Sequence, residues 1–157
     1  MTDQSVGLSG TMGMGSGSEF MNAVVDQLLP RPLRYRLVWN TDDSKHPLYI
    51  WRAVPPTASF IALGMVATSS DDPPSLDAMR CVPKRWCVRH GEPPRAVWRD
   101  AGQGGRPGSL WSNGGGGLQL LLGATGHEPP AQELSWRFQS DRWLAVPERL
   151  TDLIDQV

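Results

Sequence analysis

The feature that most constrains this fold is an internal repeat with a spacing of about 60 residues. The stretch 48–68 joins two apolar strands through a Trp-Arg and a double proline, and a degraded copy follows at 109–126. Two tryptophan pairs recur at the same spacing, Trp39 with Trp98 and Trp51 with Trp111. Such a period is typical of a domain built from small units that bury their apolar faces against each other.

The pattern along the chain predicts an all-β domain, because short apolar segments alternate with turns rich in Pro, Gly and Asp. We expect repeats at 35–92 and 95–133 and a partial third at 134–146. Small antiparallel sheets would pack in a β-prism-like arrangement, with the tryptophans filling the shared middle. The predicted strands are 35–40, 48–53, 60–68, two short ones within 79–89, 96–100, 109–113 and 118–125. The predicted structural core positions are Trp39, Trp51, Gly64, Trp98 and Trp111, with Gly64 marking a bulge or a close backbone approach.

The two ends of the chain differ from this pattern. Residues 1–20 are rich in Gly and Ser and lack apolar periodicity, which indicates an expression tag and linker. Residues 21–34 form a lead-in, with one or two helical turns before Pro30. At the other end, apolar residues at helical spacing within 147–157, opened by a proline, predict a short C-terminal helix.

Charge favours no particular class of partner. Without residues 1–20 the chain holds 15 basic and 14 acidic residues, a net charge of +1. Thirteen of the basic residues are arginines, which pair bidentately with carboxylate or phosphate and stack on aromatic rings such as the seven tryptophans. No apolar run approaches the ~20 residues of a membrane-spanning helix.

No motif indicates an active site, a metal or a cofactor. Cys81 and Cys87 form a lone C-x5-C pair, which is not a zinc signature, and we expect both to be reduced. The three histidines lie in separate turns, and the glycine run 114–117 lacks the Lys-Ser/Thr that a phosphate loop requires. We therefore expect a non-enzymatic protein without a metal or a nucleic-acid partner.

One segment is strongly basic and predicts a site for anionic lipid or for a partner protein. Its cations are Arg80, Lys84, Arg85, Arg89, Arg95 and Arg99, against a single acid, Glu92. The alternative is that these side chains point in several directions and pair with acids of neighbouring loops, namely Asp71, Asp72, Asp77 or Asp100.

The order of these elements resembles a repeat of the vacuolar protein sorting-associated protein thirteen and sixty-two families. The residues that carry the resemblance are Val38-Trp39, Ile50 to Pro56, Ala62 to Ala67, Pro73-Pro74 and Arg80 to Pro83. It implies a cytoplasmic, non-catalytic module of a large lipid-transport protein, peripheral at organelle membranes, that docks on an adaptor protein or an anionic membrane surface. The second copy lacks the Trp-Arg-x-Val-Pro-Pro corner, so a ligand that depends on this corner would bind the first copy only.

Two other functions remain open from the sequence. A carbohydrate-binding, lectin-like β-prism would present the glycine loops 102–105 and 114–117 to a sugar. A structural spacer within a longer protein would bind nothing.

Overall fold

The computed structural model describes residues 12–41, 43–100, 105–115, 118–131 and 136–139. Within these ranges one helix, α1 (Met12–Leu28), precedes ten strands. These are β1 (Arg34–Asn40), β2 (Tyr49–Val54), β3 (Phe60–Ile61), β4 (Val66–Thr68), β5 (Val82–Pro83), β6 (Cys87–Arg89), β7 (Arg95–Arg99), β8 (Gly108–Gly115), β9 (Leu118–Thr125) and β10 (Trp136–Phe138). Single 3-10 turns occupy Leu76–Ala78 and Lys84–Trp86.

The strands form small antiparallel sheets, and the predicted all-β fold is confirmed. Two sheets have three strands, in the orders β1-β2-β4 and β7-β8-β9. The other two are the pairs β3-β5 and β6-β10. We call the sheet β1-β2-β4 the first copy and the sheet β7-β8-β9 the second copy.

The two copies share the same strand register, including an irregularity. In the first hairpin Trp39 pairs with Ile50, and a bulge falls at Val38. In the second hairpin Trp98 pairs with Leu110, and the bulge falls at the residue before it, as in the first. The repeat seen in the sequence is therefore a repeat of backbone geometry as well as of residue type.

The main core lies between the two copies and takes residues from both. Its buried members are Trp39, Ile50, Met65, Trp111, Leu122 and Ala124. A Cβ at Gly108 would overlap the Trp39 ring, and one at Gly123 would lie 2.6 Å from Cγ2 of Ile50. The missing side chains of the second copy thus make room for two large side chains of the first.

Two smaller clusters complete the core of the described residues. One lies on the other face of the first copy, around Tyr35, Trp51 and Ala53. The other holds Val82, Trp86 and Cys87, against which Leu28 and Leu29 at the end of α1 pack. Leu28 and Leu29 thereby attach the helix to the β domain.

The N-terminal region differs from the prediction. A helix covers Met12–Leu28, whereas we expected one or two helical turns after residue 20. The helix ends before Pro30 as expected, and Asp26 near its end contacts Arg31 and Arg80. These ion pairs and the packing of Leu28 hold the last turn of the helix against the β domain. The origin of residues 1–20 stays a prediction.

The predicted strand 60–68 is two strands, β3 and β4, separated at Gly64. This glycine has a φ of +73°, a left-handed conformation that breaks the strand. The approaching neighbour is the backbone of β9, because a Cβ at Gly64 would lie 3.3 Å from the carbonyl oxygen of Leu121. The predicted C-terminal helix at 147–157 lies outside the described residues. Of the partial third repeat, 134–146, only 136–139 are described, and they include β10.

Candidate functional site: an arginine-lined pocket

Three arginines share one face of the first copy. Arg34 and Arg36 are two residues apart on β1, and Arg52 on β2 is the cross-strand partner of Arg36. Because side chains alternate between the faces of a strand, all three lie on the same side of the sheet. This is also the side of Ile50, so the arginine face continues directly into the main core.

The arginines line a cavity of about 220 Å³ at the junction of all four sheets. The backbone corner Ala53 to Pro55 forms one wall. The apolar part of the lining comes from β3, β9, β10 and the segment between β3 and β4. It consists of Ile61, Ala62, Met65, Leu122 and Trp136. A polar rim of guanidinium groups therefore surrounds an apolar interior.

Gly64 and Met65 fix one side of this cavity. The left-handed φ of Gly64 turns the chain toward β9, where the Met65 amide donates to the Leu121 carbonyl at 2.7 Å. The Met65 sulfur in turn accepts from the Gly123 amide at 3.2 Å. This side of the cavity is thus tied to β9 of the second copy by one backbone hydrogen bond and one hydrogen bond to the Met65 side chain.

The charge of the pocket is uncompensated within the described part of the chain. There, no carboxylate forms an ion pair with Arg34, Arg36 or Arg52; the ion pairs of other arginines involve Asp26 and Asp77. Like charges directly opposite each other on a sheet are destabilising. Arg34 and Arg36 are exposed and Arg52 is half-buried, so solvent screens part of this repulsion. An anion placed between the three guanidinium groups would offset the rest.

The basic residues predicted from the sequence are not brought together on one face. Arg80 donates to Asp26 at 2.6 Å and to the Leu29 carbonyl at 3.1 Å, so it holds α1 against the β domain. The hydrogen bond from Arg80 lowers the pKa of the Asp26 carboxyl. Arg80 has a structural contact of its own, with Asp26 rather than with the acids considered from the sequence.

Three further predicted residues gather around two tryptophans. Lys84 and Arg89 lie 5.6 and 4.8 Å from the ring centroid of Trp136, and Arg85 lies 5.7 Å from that of Trp86. Trp86 is buried. Its ring packs with Val82 and Cys87 because the 3-10 turn Lys84–Trp86 directs it inward.

Arg95 and Arg99 lie on β7 of the second copy. The Arg99 guanidinium lies 5.5 Å from the Trp111 ring, a cation–π contact. Trp98, which we expected in the core, is 39% exposed. It contacts Trp39, a member of the main core, at 5.5 Å between centroids but is not itself buried.

The described residues offer no constellation for metal binding. No group of three His, Cys, Asp or Glu side chains comes close enough within those ranges to hold an ion. His127 Nε2 lies 2.6 Å from an Asp100 oxygen, and this contact lowers the pKa of Asp100. Cys81 and Cys87 are free, buried thiols, and burial raises the pKa of Cys87 to about 11. Such a thiol is a poor nucleophile at neutral pH.

The sequence reasoning missed the three pocket arginines because it searched for a run of charges. The signal was the alternation Arg34-x-Arg36 at the start of the predicted strand 35–40, in the same hairpin as the Trp-Arg corner. Pairing Trp39 with Trp51 would have placed Arg52 opposite Val38. The sequence therefore did not give the register that pairs Arg52 with Arg36. The corner itself had been identified as a feature of the first copy only, and Arg52 belongs to it.

The comparison with protein families gives a match that covers more than half of the chain. Residues 8–105 match the family described as Vacuolar protein sorting-associated protein 62. The chain belongs to this family. The match begins inside residues 1–20, spans the arginine pocket's β1 and β2 strands, and ends before β8 of the second copy. The additional likeness to the thirteen family stays a prediction.

A solved structure gives the fold a second line of support. The chain is similar to the crystal structure of GNIP1Aa from Chromobacterium piscinae, at 30% identity and a TM-score of 0.55. The alignment covers 68% of this chain and 22% of that one, so our chain corresponds to a small part of the larger protein. Among curated proteins, none matches this chain. No helix within the described ranges is long and apolar enough to cross a membrane.

Proposed function

We propose that this member of the vacuolar protein sorting-associated 62 family is a non-catalytic interaction module that docks on an anionic membrane surface. Its four small sheets would form a β-prism-like body, cytoplasmic and peripheral at an organelle membrane. The arginine pocket of the first copy would be the docking site. The parent protein would act in lipid transport, as the resemblance of the repeat implies.

The observation that carries this proposal is the set of arginines around an apolar cavity, Arg34, Arg36 and Arg52, none of which forms an ion pair with another described residue. A module that only spaced other domains would gain nothing from two arginines placed directly opposite each other, since that pairing costs stability. An enzyme would require a nucleophile or an acid–base pair, and the pocket lining holds neither.

Liposome co-sedimentation tests the proposal. Vesicles of neutral lipid and vesicles containing phosphatidylserine or phosphatidic acid would be compared at two salt concentrations. We expect binding to the anionic vesicles alone, weakening with salt because surface charge is screened. The variant Arg34→Ala/Arg36→Ala/Arg52→Ala should lose this binding.

Two matched variants locate the interaction. Arg95→Ala removes the residue that corresponds to Arg36 in the second copy, and we expect it to bind like the unmodified protein. Arg85→Ala/Arg89→Ala removes the cations near the tryptophans. Loss of binding in this double variant alone would move the membrane site to the basic segment first predicted from the sequence. Absence of binding to every vesicle would contradict membrane docking and favour an adaptor protein, a sugar or a spacer role.

A further inference from the structure

We infer that the pocket of Arg34, Arg36 and Arg52 is a discrete binding site for one phosphate monoester group, and that the second copy has no such site. The inference deepens the proposed docking function by naming the recognised chemical group. It depends on that function only for the source of the phosphate, which could be a lipid headgroup or a small soluble molecule.

The charge of the pocket matches a phosphate monoester. Such a group carries a charge of about −1.5 to −2 at pH 7 and three strong acceptor oxygens. Arginine forks bind phosphate oxygens bidentately, and three forks on one face supply donors for all of them. A phosphodiester carries a single charge and has two free oxygens, so it would leave part of the donor set unpaired.

The size of the cavity sets the extent of the ligand. At about 220 Å³ it is smaller than the roughly 300–1,000 Å³ of pockets that enclose drug-sized molecules. A phosphate with a few attached atoms fits, whereas an acyl chain or a nucleotide would extend outside. Met65 and Leu122 on the interior side are both buried, so the phosphate would meet a wall that holds little water. The arginines themselves are on the open side, since Arg34 and Arg36 are exposed and Arg52 is half-buried, so a ligand would enter from solvent and meet this wall at its far end.

The second copy provides an internal comparison. Arg36 and Arg52 form a cross-strand pair in the first copy, and the equivalent pair in the second is Arg95 and Ser112. The position two residues before Arg95, which corresponds to Arg34, is Pro93. One arginine of the three is therefore retained, which is too few to hold a dianion in competition with water. A stoichiometry of one phosphate per chain follows.

Isothermal titration calorimetry in a phosphate-free buffer tests the site. The probes are glycerol 3-phosphate as a monoester and glycerophosphocholine as a diester. We expect one monoester per chain, at least tenfold tighter binding than the diester, and affinity that increases as pH rises through about 6, where the monoester loses its second proton. Arg52→Ser, which copies the second repeat, should weaken monoester binding about tenfold or more. Arg95→Ser should change it less than twofold.

Arg52→Lys separates the role of the guanidinium fork from that of charge. Lysine keeps the charge but cannot bind bidentately, so we expect an affinity between those of the unmodified protein and Arg52→Ser. Thermal unfolding of each variant confirms that it is folded before titration. Equal affinity for diester and monoester, a stoichiometry of two, or equal weakening by Arg52→Ser and Arg95→Ser would each overturn the inference.

Vesicle arms distinguish failure of this inference from failure of the docking proposal. Phosphatidic acid presents a monoester and phosphatidylserine a diester, at matched surface charge. Binding to both vesicles without monoester selectivity in solution would sustain docking and overturn the monoester site. Monoester binding in solution without preference for phosphatidic acid vesicles would sustain the site and assign its phosphate to a soluble molecule.

Discussion

The two copies place equivalent tryptophans in different surroundings. Trp39 is 4% exposed and donates from its ring nitrogen to the Arg106 carbonyl at 2.8 Å, whereas Trp98 is 39% exposed. The cause lies in the opposing copy. Trp39 packs where the second copy has Gly108, and the first copy has Leu48 at the corresponding position. A repeat can therefore keep its strand frame while only one copy keeps a buried anchor.

The second pair of tryptophans, Trp51 and Trp111, keeps the same hydrogen-bond arrangement in both copies, although different residues supply the acceptor. Trp51 donates to the Thr68 hydroxyl at 2.8 Å, and that hydroxyl donates to the Ser70 carbonyl. In the second copy Trp111 donates to the Ser109 hydroxyl at 2.8 Å, which donates to the carbonyl of Gly126.

The two hydroxyls stand on opposite strands of the repeat. Thr68 pairs with Tyr49, whereas Ser109 pairs with Ala124, so the hydroxyl-bearing member of the equivalent pair has changed sides. In both copies the buried indole N–H has a hydroxyl acceptor, but a different residue of the repeat supplies it.

The largest expected effect comes from adding a side chain at Gly108, where the Trp39 ring of the first copy packs. Gly108→Ala places a methyl group into the Trp39 ring. The φ of Gly108 is not positive, so the expected destabilisation comes from this overlap and not from backbone strain. We expect a loss of about 3 kcal/mol in the free energy of unfolding, because the ring must move. Urea denaturation measures it. Gly91→Ala is the control, since nothing lies within 4 Å of a Cβ there; an equal loss in that variant would contradict the packing account.

The second expected effect concerns Cys87, which lies in the third cluster and outside both copies. Burial raises the pKa of this thiol from 9.0 to about 11. Between those values the unfolded chain releases the proton and the folded chain retains it, so stability falls as pH rises through the window, by about 2–3 kcal/mol in total. Cys87→Ala should show a smaller fall when denaturation midpoints are compared from pH 8.5 to 11. Parallel curves for the two proteins would refute this assignment.

The third effect tests the exchanged hydroxyls. Ser109→Ala leaves the indole N–H of Trp111 without its partner in a buried site, at a cost of about 2 kcal/mol. Adding Ala124→Ser supplies a hydroxyl from the opposite strand, as the first copy does with Thr68, and should recover part of the loss. Thermal or urea denaturation of the single and double variants measures the recovery. A double variant no more stable than Ser109→Ala would show that the two arrangements are not interchangeable.

The smallest effect concerns the arginines of the first copy. Arg52→Ala removes a like charge opposite Arg36 and should raise stability by roughly 0.5 kcal/mol at low salt. The gain should fade at high salt, where such repulsion is screened. Arg95→Ala, opposite Ser112 in the second copy, should produce no comparable salt-dependent gain. Salt titration of the denaturation midpoint decides between them.

The sequence predicted those parts of the fold that depend on local pattern. The hairpins β1-β2 and β7-β8 followed from alternation and from the tryptophan spacing, and their bounds differ from the predicted strands by one or two residues. The pairing of β6 with β10 joins segments about 50 residues apart, so no local pattern encodes it. For Gly64 the sequence indicated a bulge or a close backbone approach, but it did not indicate the left-handed φ that breaks the strand.

The candidate site could be predicted less well than the fold. A run of charges such as Arg80 to Arg99 is visible in one dimension, but its members face different neighbours: Asp26, Trp136, Trp86 and Trp111. The pocket arginines are separated by 16 residues between Arg36 and Arg52 and meet only through strand pairing. The three arginines also lie on the same face of the sheet as the main core only because of the bulge at Val38.

That bulge makes insertion and deletion, more than substitution, the sensitive class of mutation in β1. Arg36 and Trp39 are three residues apart, an odd interval that would put them on opposite faces of a regular strand, and the extra residue returns them to the same face. Deleting Val38 would turn the arginines away from the cavity while the indole stayed in place. The second copy retains the extra residue before Trp98 although it has one arginine left. The strand register of the second copy is thus the same as that of the first, and Ser112→Arg would place an arginine opposite Arg95 as Arg52 lies opposite Arg36.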